Sequence, residues 1–231
     1  SGTLYPTQAF AQDAEMSLRE FEDFVYEACL VHEPDPINAW KKVSKEQQRV
    51  TDWLNKARQI HVVGPDTDLK LEVAGRNWIN CDGHENFPDG EIFTGPIENS
   101  LNGHIRYTYP ACLHGREVED VRLQFKNGKV VKATAAKNEE FLLKMLESDE
   151  GAKYLGEFAF GTNFGIQRFT KNTLFDEKIG GTIHLALGKG YPESGSKNKS
   201  AIHWDMVCDL RDGGEVRVDG TVVLKDGKIL V

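Results

Sequence analysis

The first part of the chain shows the apolar periodicity of helices. In residues 8–33, apolar side chains recur at steps of three and four, as in an amphipathic helix: Phe10, Ala14, Leu18, Phe21, Val25, Ala28 and Cys29. We predict a break in this helix near Ser17. Residues 33–36 should end it, because each proline there disfavours helical backbone at the residue before it. The same spacing predicts a second helix over residues 36–58.

From residue 59 onward the pattern changes to the alternation of β-strands. Turn residues that favour tight hairpins separate the alternating segments: Asn127-Gly128, Asp219-Gly220 and Asp226-Gly227. A short helical pattern after residue 138 makes Asn138 a predicted N-cap. The fold class is therefore α+β, a mostly antiparallel β region with an N-terminal helical segment and one or two further helices. We expect residues 1–58 to pack, as that helical segment, on the β-rich region 59–231.

Composition and charge narrow the classes of partner. The 231 residues carry a formal net charge of −8, and no basic stripe is present, so we expect no nucleic-acid partner. The apolar runs are too short to span a bilayer, which predicts no membrane partner. No signal-peptide pattern is found, and the four cysteines lack the spacing of a zinc knuckle or a disulfide scaffold. These observations favour a cytoplasmic protein with reduced thiols.

Four strand-like segments place an imidazole or a carboxylate on the face opposite their apolar residues. They carry Glu91 (residues 89–96), Glu157 (156–163), His184 (181–191), and the pair His203 and Asp205 (201–210). The neighbours on that face are small, which leaves room for a metal ion and part of a substrate. Imidazoles and carboxylates suit Zn²⁺, Co²⁺ or Mn²⁺, and carboxylates can bridge two ions. Two-metal sites are a known solution for hydrolysis.

Other interpretations are open for these residues. A strand histidine is more often a hydrogen-bonded structural group than a ligand, and the His-x-Asp pair alone is a weak signal. The remaining histidines lack an acidic partner at a useful spacing and are interpreted as structural: His32, His61, His84, His104 and His114. The glycine-rich residues 188–200 lack the spacing of a phosphate-binding loop and predict a mobile active-site loop. Cys208 lies on the apolar face and is predicted to be core.

Several segments together resemble the M29 family of metallo-aminopeptidases, the group of aminopeptidase T, aminopeptidase S and PepS. They are "YPTQAFAQDAEMS", "DGEIFTGP", "YLGEFAFGTN", "LFDEKIGGTIHLALGKGYPESG" and "KNKSAIHWDMVCDL". Their order and spacing cover nearly the whole chain. The resemblance implies a thermophilic-metalloprotease-like fold and a metal-dependent aminopeptidase that acts on short peptides with apolar first residues. It also implies a homodimer. Full-length relatives carry an additional N-terminal α/β domain, which we expect this chain to lack.

The resemblance also implies a role for individual residues. Two divalent ions (Zn, Co, Mn or Mg) would be bound by six side chains: Glu91, Glu157, Glu177, His184, His203 and Asp205. A water bridging the ions would attack the first peptide carbonyl. Tyr191 would stabilise the oxyanion, and Glu91 or Glu157 would carry the proton to the leaving amine. The alternatives are a non-catalytic metal- or peptide-binding module, inactive without the missing domain, and a dinuclear hydrolase for another ester or amide.

Overall fold

Two antiparallel sheets form the body of the protein in a computed structural model that describes residues 2–231. The strands are β1 (Gly2–Thr3), β2 (Gln59–Gly64), β3 (Thr67–Glu72), β4 (Ile79–Cys81), β5 (Asn86–Phe87), β6 (Glu91–Thr94), β7 (Asn102–Arg106), β8 (Ala111–Leu113), β9 (Arg116–Val118), β10 (Arg122–Lys126), β11 (Lys129–Thr134), β12 (Leu155–Gly161), β13 (Thr182–Gly188), β14 (His203–Asp209), β15 (Glu215–Val218), β16 (Thr221–Lys225) and β17 (Lys228–Ile229). One sheet has eight strands in the order β11-β10-β7-β3-β2-β15-β16-β17. The other has five, in the order β14-β13-β12-β6-β4. Two small sheets pair β1 with β5 and β8 with β9.

Five helices accompany the sheets within the described residues 2–231, and the predicted α+β class is confirmed. They are α1 (Gln8–Asp13), α2 (Leu18–Ala28), α3 (Pro36–Leu54), α4 (Glu139–Leu146) and α5 (Thr173–Asp176), with 3₁₀ turns at Glu150–Lys153 and Pro192–Ser194. None of the helices within residues 2–231 has the length and apolar character needed to cross a membrane.

The helix boundaries are set by local capping and turns, and they differ from those that the apolar periodicity predicted. The break near Ser17 is confirmed: Ser17 Oγ accepts a hydrogen bond from the Glu20 amide, and Glu20 Oε2 accepts one from the Ser17 amide. This reciprocal capping box starts α2. The helix ends at Ala28, before the predicted residue 33, and the backbone soon becomes left-handed at Leu30 (φ 56°). Similarly, α3 ends at Leu54 and not at residue 58.

Asn138 is the N-cap residue of α4, as predicted, but it does not cap the helix through its side chain. Asn138 precedes the helix, but its backbone is left-handed (φ 57°) and its side chain makes no capping hydrogen bond. Its Nδ2 instead donates to the carbonyl of Glu117 at 2.7 Å. The side chain therefore ties the start of α4 to the β8–β9 hairpin.

The five-stranded sheet has two chemically different faces. One face contributes to a core shared with the eight-stranded sheet, through Phe158, Phe160, Leu185, Trp204 and Met206 among others. The opposite face carries the candidate residues of the sequence analysis, because alternate side chains of a strand point to opposite sides. Cys208 lies in the shared core, as predicted.

Strand register places a small residue opposite each of these polar residues. Glu91 pairs with Gly161, His184 with Ala159, and His203 with Gly188. Glu157 and Asp205 both lie opposite Ala186, one on each side of it. The small residues leave space above the sheet that larger side chains would fill.

A second apolar cluster holds the segment that enters the site from outside the sheet. Phe21 and Phe24 of α2 pack against Phe175 of α5, with ring centroids 6.3 and 5.6 Å from that of Phe175. Ile179, just after α5, belongs to the same cluster. The N-terminal helices therefore fix the position of residues 177 and 178, which lie between these two anchors.

Candidate metal centre

His184 lies at the centre of a buried cluster of carboxylates. Its imidazole is fully buried, with Nε2 3.2 Å from Glu91 Oε2 and 3.2 Å from Glu157 Oε1. The three residues come from the adjacent strands β6, β12 and β13. One imidazole nitrogen thus faces two carboxylate oxygens, which is a ligand set typical of Zn²⁺ and similar ions.

His203 forms a second group at the edge strand β14. Its Nε2 is 3.6 Å from Glu157 Oε2 and 3.4 Å from Asp205 Oδ2. Glu157 therefore directs one oxygen to His184 and the other to His203. A carboxylate in this position can bridge two cations.

Glu177 completes the set from outside the sheet. It follows α5, and one of its carboxylate oxygens lies within 4.8 Å of ligand atoms of His184 and Asp205. The structure thus brings together all six residues for which metal binding was predicted. They group as Glu91, Glu157 and His184; as Glu157, His203 and Asp205; and as Glu177, His184 and Asp205.

The sequence analysis missed Lys178. Its side chain is fully buried, with Nζ 3.6 Å from Glu91 Oε1, and it forms a short ion pair with Glu177. An ammonium group has no lone pair and cannot bind a metal ion while it is protonated. The available signal was its position directly after Glu177, because a lysine that follows a buried acidic residue is well placed to pair with it.

The hydrogen bonding of His203 leaves Nε2 free to bind a metal. Nδ1 lies 2.7 Å from the carbonyl oxygen of Lys189, which can only accept a hydrogen bond. The proton of a neutral imidazole is therefore held on Nδ1, and the lone pair of Nε2 faces the carboxylates. Asp205 Oδ1 and His184 Nδ1 are buried without a hydrogen-bond partner. A buried oxygen in this state costs free energy that a cation would offset, so the residues fit a metal site.

Buried charges shift the carboxyl pKa values in opposite directions. Burial opposes ionisation of Glu91, but Lys178 and His184 outweigh it and hold the Glu91 pKa below its usual value. Burial also opposes ionisation of Asp205, and His203 holds that pKa low. For Glu177, burial raises the pKa to about 8 despite Lys178. A carboxyl group therefore keeps a low pKa here only where its cationic neighbours outweigh the effect of burial, as for Glu91 and Asp205.

The neighbouring carboxylates raise the pKa values of both imidazoles. Burial disfavours a charged imidazole, but Asp205 and Glu157 outweigh it and raise the pKa of His203 to about 10. Glu157 and Glu91 likewise raise the pKa of His184 against the effect of burial. Without a metal, the imidazoles therefore supply positive charge to the cluster.

Tyr191 lies at the mouth of the cluster. Its ring centroid is 5.1 Å from that of His203 and 5.4 Å from that of Phe93. Partial burial, then the nearby carboxylates, raise the pKa of its phenol, so the hydroxyl is a proton donor at neutral pH. At 38% exposed it is the most accessible of the candidate residues, followed by the His203 side chain at 24%.

The loop that carries Tyr191 is tied to its surroundings. Asn198 Nδ2 donates to the carbonyls of Gly188 (2.6 Å) and Gly151 (2.9 Å), and the Asn77 amide donates to the Ser194 carbonyl (3.0 Å). The predicted mobile loop is thus hydrogen-bonded to its own first residue and to two other parts of the chain. These contacts fix where Tyr191 leaves the sheet.

Two histidines outside this cluster have acidic partners, contrary to the prediction. His61 Nε2 is 2.7 Å from Asp68 Oδ1, and His84 Nδ1 is 2.5 Å from Asp82 Oδ1. The first pair depends on the antiparallel register of β2 and β3, which spacing along the sequence does not reveal.

Comparisons with known proteins agree with the resemblance seen in the sequence. The model of a family described as thermophilic metalloprotease (M29) matches residues 1–229. Aminopeptidase 2 of Geobacillus stearothermophilus is 33% identical over 96% of this chain, and Aminopeptidase T of Thermus aquaticus is 32% identical over 92%. The matches cover 61% and 57% of those proteins, so the chain spans about three fifths of the length of these curated relatives.

Solved structures show the same fold. Wild-type AmpT from Thermus thermophilus superimposes with a TM-score of 0.81 at 28% identity, covering 93% of this chain and 59% of that one. A 2,5-dihydroxypyridine dioxygenase from Pseudomonas putida KT2440 superimposes with a TM-score of 0.73 at 14% identity, covering 99% and 70%. The second likeness shows the fold alone, and its name indicates that the fold hosts more than one chemistry. By the family match over nearly its whole length, with the AmpT fold in support, the chain belongs to the M29 family of thermophilic metalloproteases.

Proposed function

We propose that this chain is the metal-binding catalytic part of an aminopeptidase that releases N-terminal amino acids from short peptides. The observation that carries the proposal is the meeting of six ligand-type side chains, five from one sheet face and Glu177 from the segment after α5. The M29 family and the aminopeptidase relatives supply the reaction class. Because the chain spans only part of those relatives, its activity, substrates and partners belong to the proposal.

The geometry suggests how the ligands are divided between two cations. Glu91 and His184 would bind one cation, and His203 and Asp205 the other. Glu157 would bridge them with one oxygen on each, which its contacts with both imidazoles support. Glu177 would add a ligand from the α5 side, near His184 and Asp205. A mixture of nitrogen and oxygen donors favours Zn²⁺, Co²⁺ or Mn²⁺ over Mg²⁺, which prefers oxygen.

The side chains around the cations have separate chemical tasks. When bound, the two cations would activate a bridging water and polarise the first peptide carbonyl. Tyr191 would donate its O–H to the oxyanion that forms on that carbonyl. Glu91 or Glu157 would carry the proton to the leaving amine. Since Tyr191 and His203 are the most exposed members, the peptide would approach from their side.

The acidic surroundings of the cluster also suit a substrate with a free amino terminus. The positively charged α-amino group would bind a carboxylate that is not engaged with a metal, or it would bind a metal once it has lost its proton. Either mode would restrict the enzyme to the first peptide bond. We propose a cytoplasmic location and a homodimer as the setting, on the basis of the family resemblance and the scattered cysteines.

The proposal is tested with leucine p-nitroanilide as the substrate and added Zn²⁺, Co²⁺ or Mn²⁺. We expect release of nitroaniline that a chelator abolishes. The N-acetylated substrate is the matched control, and it should not react if the free amine is required. Binding of metal without hydrolysis would favour the alternative, a non-catalytic metal- or peptide-binding module. Hydrolysis of the acetylated amide at the same rate would favour a hydrolase of another amide or ester.

A further inference from the structure

Lys178 is the one group in the centre whose function the proposed reaction leaves unexplained. Its side chain has no solvent-accessible surface and points into the carboxylate cluster. Nζ pairs with Glu177 and lies 3.6 Å from Glu91 Oε1. Burying a lysine is costly unless it is paired, so the position requires an explanation.

The backbone holds this ammonium group firmly in place. The Lys178 amide donates to the Phe175 carbonyl at 3.0 Å, and the Lys178 carbonyl accepts from the Asn163 amide at 3.0 Å. Phe175 and Ile179 anchor the segment on either side in the apolar cluster with α2. The lysine therefore has little freedom to leave the carboxylates.

The charge of the cluster explains why a lysine is needed. Four carboxylates are crowded within it, those of Glu91, Glu157, Glu177 and Asp205. Within residues 2–231, no other lysine or arginine forms an ion pair with any of them. Without a metal, the cations that can offset their repulsion are Lys178 and the two imidazoles. With metals bound, the imidazoles are neutral ligands, and Lys178 remains as a fixed positive charge beside the ions.

We propose that Lys178 is a built-in counter-cation of the carboxylate cluster, which holds the metal-free site together and competes with divalent cations for Glu91 and Glu177. This inference rests on the proposed metal site. Two consequences follow from the sign of the charges. Lys178 stabilises the metal-free protein more than the metal-loaded protein, and it weakens the binding of metal because like charges repel. A lysine that only positioned the ligands would strengthen metal binding.

The test compares the full chain with Lys178→Met, which keeps most of the side-chain volume and removes the charge. Titration with Zn²⁺ alone in a calorimeter, at one fixed pH, should show affinity at least about tenfold higher in the variant, since a unit charge near the ion is removed. The unfolding midpoint of the metal-free variant should fall by roughly 10 °C, as expected when a buried pair loses one partner. The midpoint of the Zn²⁺-loaded variant should fall by much less. Lys132→Met on the exposed face of β11 is the matched control, and it should change neither quantity.

A second variant keeps the inference testable if metal-free Lys178→Met fails to fold. The double variant Lys178→Met/Glu177→Gln removes both members of the pair, and its metal-free midpoint should return to within a few degrees of the wild-type value. A double variant that stays as unstable as the single one would assign Lys178 a packing role and overturn the inference.

The metal titration separates the two proposals. Wild-type protein that binds Zn²⁺, with equal or weaker binding by Lys178→Met, would overturn the counter-cation role and leave the metal site standing. Failure of both proteins to bind Zn²⁺, Co²⁺ or Mn²⁺ would overturn the metal site and this inference together.

Discussion

Glu157 is the residue on which the proposed centre depends most. Its two oxygens contact different imidazoles, 3.2 Å from His184 and 3.6 Å from His203, so it links the two ligand groups directly. Burial, partly offset by the hydrogen bond to His184, raises its pKa, as expected for a carboxyl that lies among other acids and has no metal to neutralise it. Its role therefore differs from that of ligands that serve a single cation.

This difference predicts distinct metal contents for two variants. Glu157→Gln should lose both ions, because the neutral amide cannot bridge them, whereas His203→Ala should keep the ion at Glu91 and His184. Elemental analysis of the purified proteins measures this directly. Both variants should lose at least about 100-fold in activity, while His104→Ala on the exposed face of β7 should keep it. Equal metal content in the wild type and Glu157→Gln would exclude the bridging role.

Tyr191 allows the catalytic role of a single hydroxyl to be tested. Tyr191→Phe keeps the ring contacts with His203 and Phe93 and removes only the O–H donor. We expect kcat to fall about 10²–10³-fold, the cost of losing one donor to an oxyanion. KM and metal content should change little. A kcat close to that of the wild type would show that Tyr191 does not stabilise the transition state.

At the scale of elements, the sequence predicted which face of a strand each side chain occupies better than it predicted which strands pair. Alternation along β12, β13 and β14 indicated that Glu157, His184 and His203 share the face opposite the core, and the structure places them there. Which strands pair, and in which register, depends on contacts between distant segments. That dependence hid the pairing of His61 with Asp68.

Residues outside the strands were predicted less well, for a related reason. Glu177 entered the candidate set only through the family resemblance, because no periodicity marks a residue that follows a four-residue helix. Lys178 was missed, because its place in the cluster depends on its contact with the Glu91 carboxylate, which lies far away in sequence. Asn138 occupies the predicted N-cap position, but its side chain does not cap the helix, because it donates a hydrogen bond to a strand distant in sequence. Local rules fail where a long-range contact competes for the same group.

The hairpin of β10 and β11 provides a test of element-level packing. Gly128 in its turn has a positive φ of 83°, and a Cβ there would lie 1.8 Å from the carbonyl oxygen of Glu98. Gly220 in the β15–β16 turn has a similar φ of 85° with no atom within 4 Å of an added Cβ. Gly128→Ala should therefore lower the free energy of unfolding by roughly 3 kcal/mol or more. Gly220→Ala should lower the free energy of unfolding by only about 1–2 kcal/mol, which is the cost of a left-handed backbone for a residue with a side chain. Urea denaturation measures the stability of both variants. Equal losses would contradict the close approach of Gly128 to the Glu98 carbonyl.

At the scale of the whole molecule, the proposed metal site joins segments from two different parts of the fold. The sheet supplies five of the candidate ligands, and the segment held by the N-terminal helices supplies Glu177 and its partner Lys178. The chain spans about three fifths of the relatives' length, yet all six candidate ligands lie within it. Metal binding is thus a property that this chain can be expected to show by itself.

Metal removal should consequently affect the stability of the entire fold. Free metal at about 1,000 times its dissociation constant stabilises a protein by about 4 kcal/mol, which corresponds to roughly 10 °C in a chain of this size. Thermal unfolding with a chelator should show this decrease, and added Zn²⁺ should reverse it. Glu157→Gln serves as the control, because it should respond weakly to either. An equal response of the variant would place the stabilising metal elsewhere.

The most direct measurement of the central claim is anomalous X-ray diffraction from crystals grown with Zn²⁺ and collected on both sides of the zinc absorption edge. We expect two peaks on the polar face of the five-stranded sheet, with Glu157 between them, one beside His184 and the other beside His203. No peak within bonding distance of these residues, or zinc bound only at other positions, would contradict this claim.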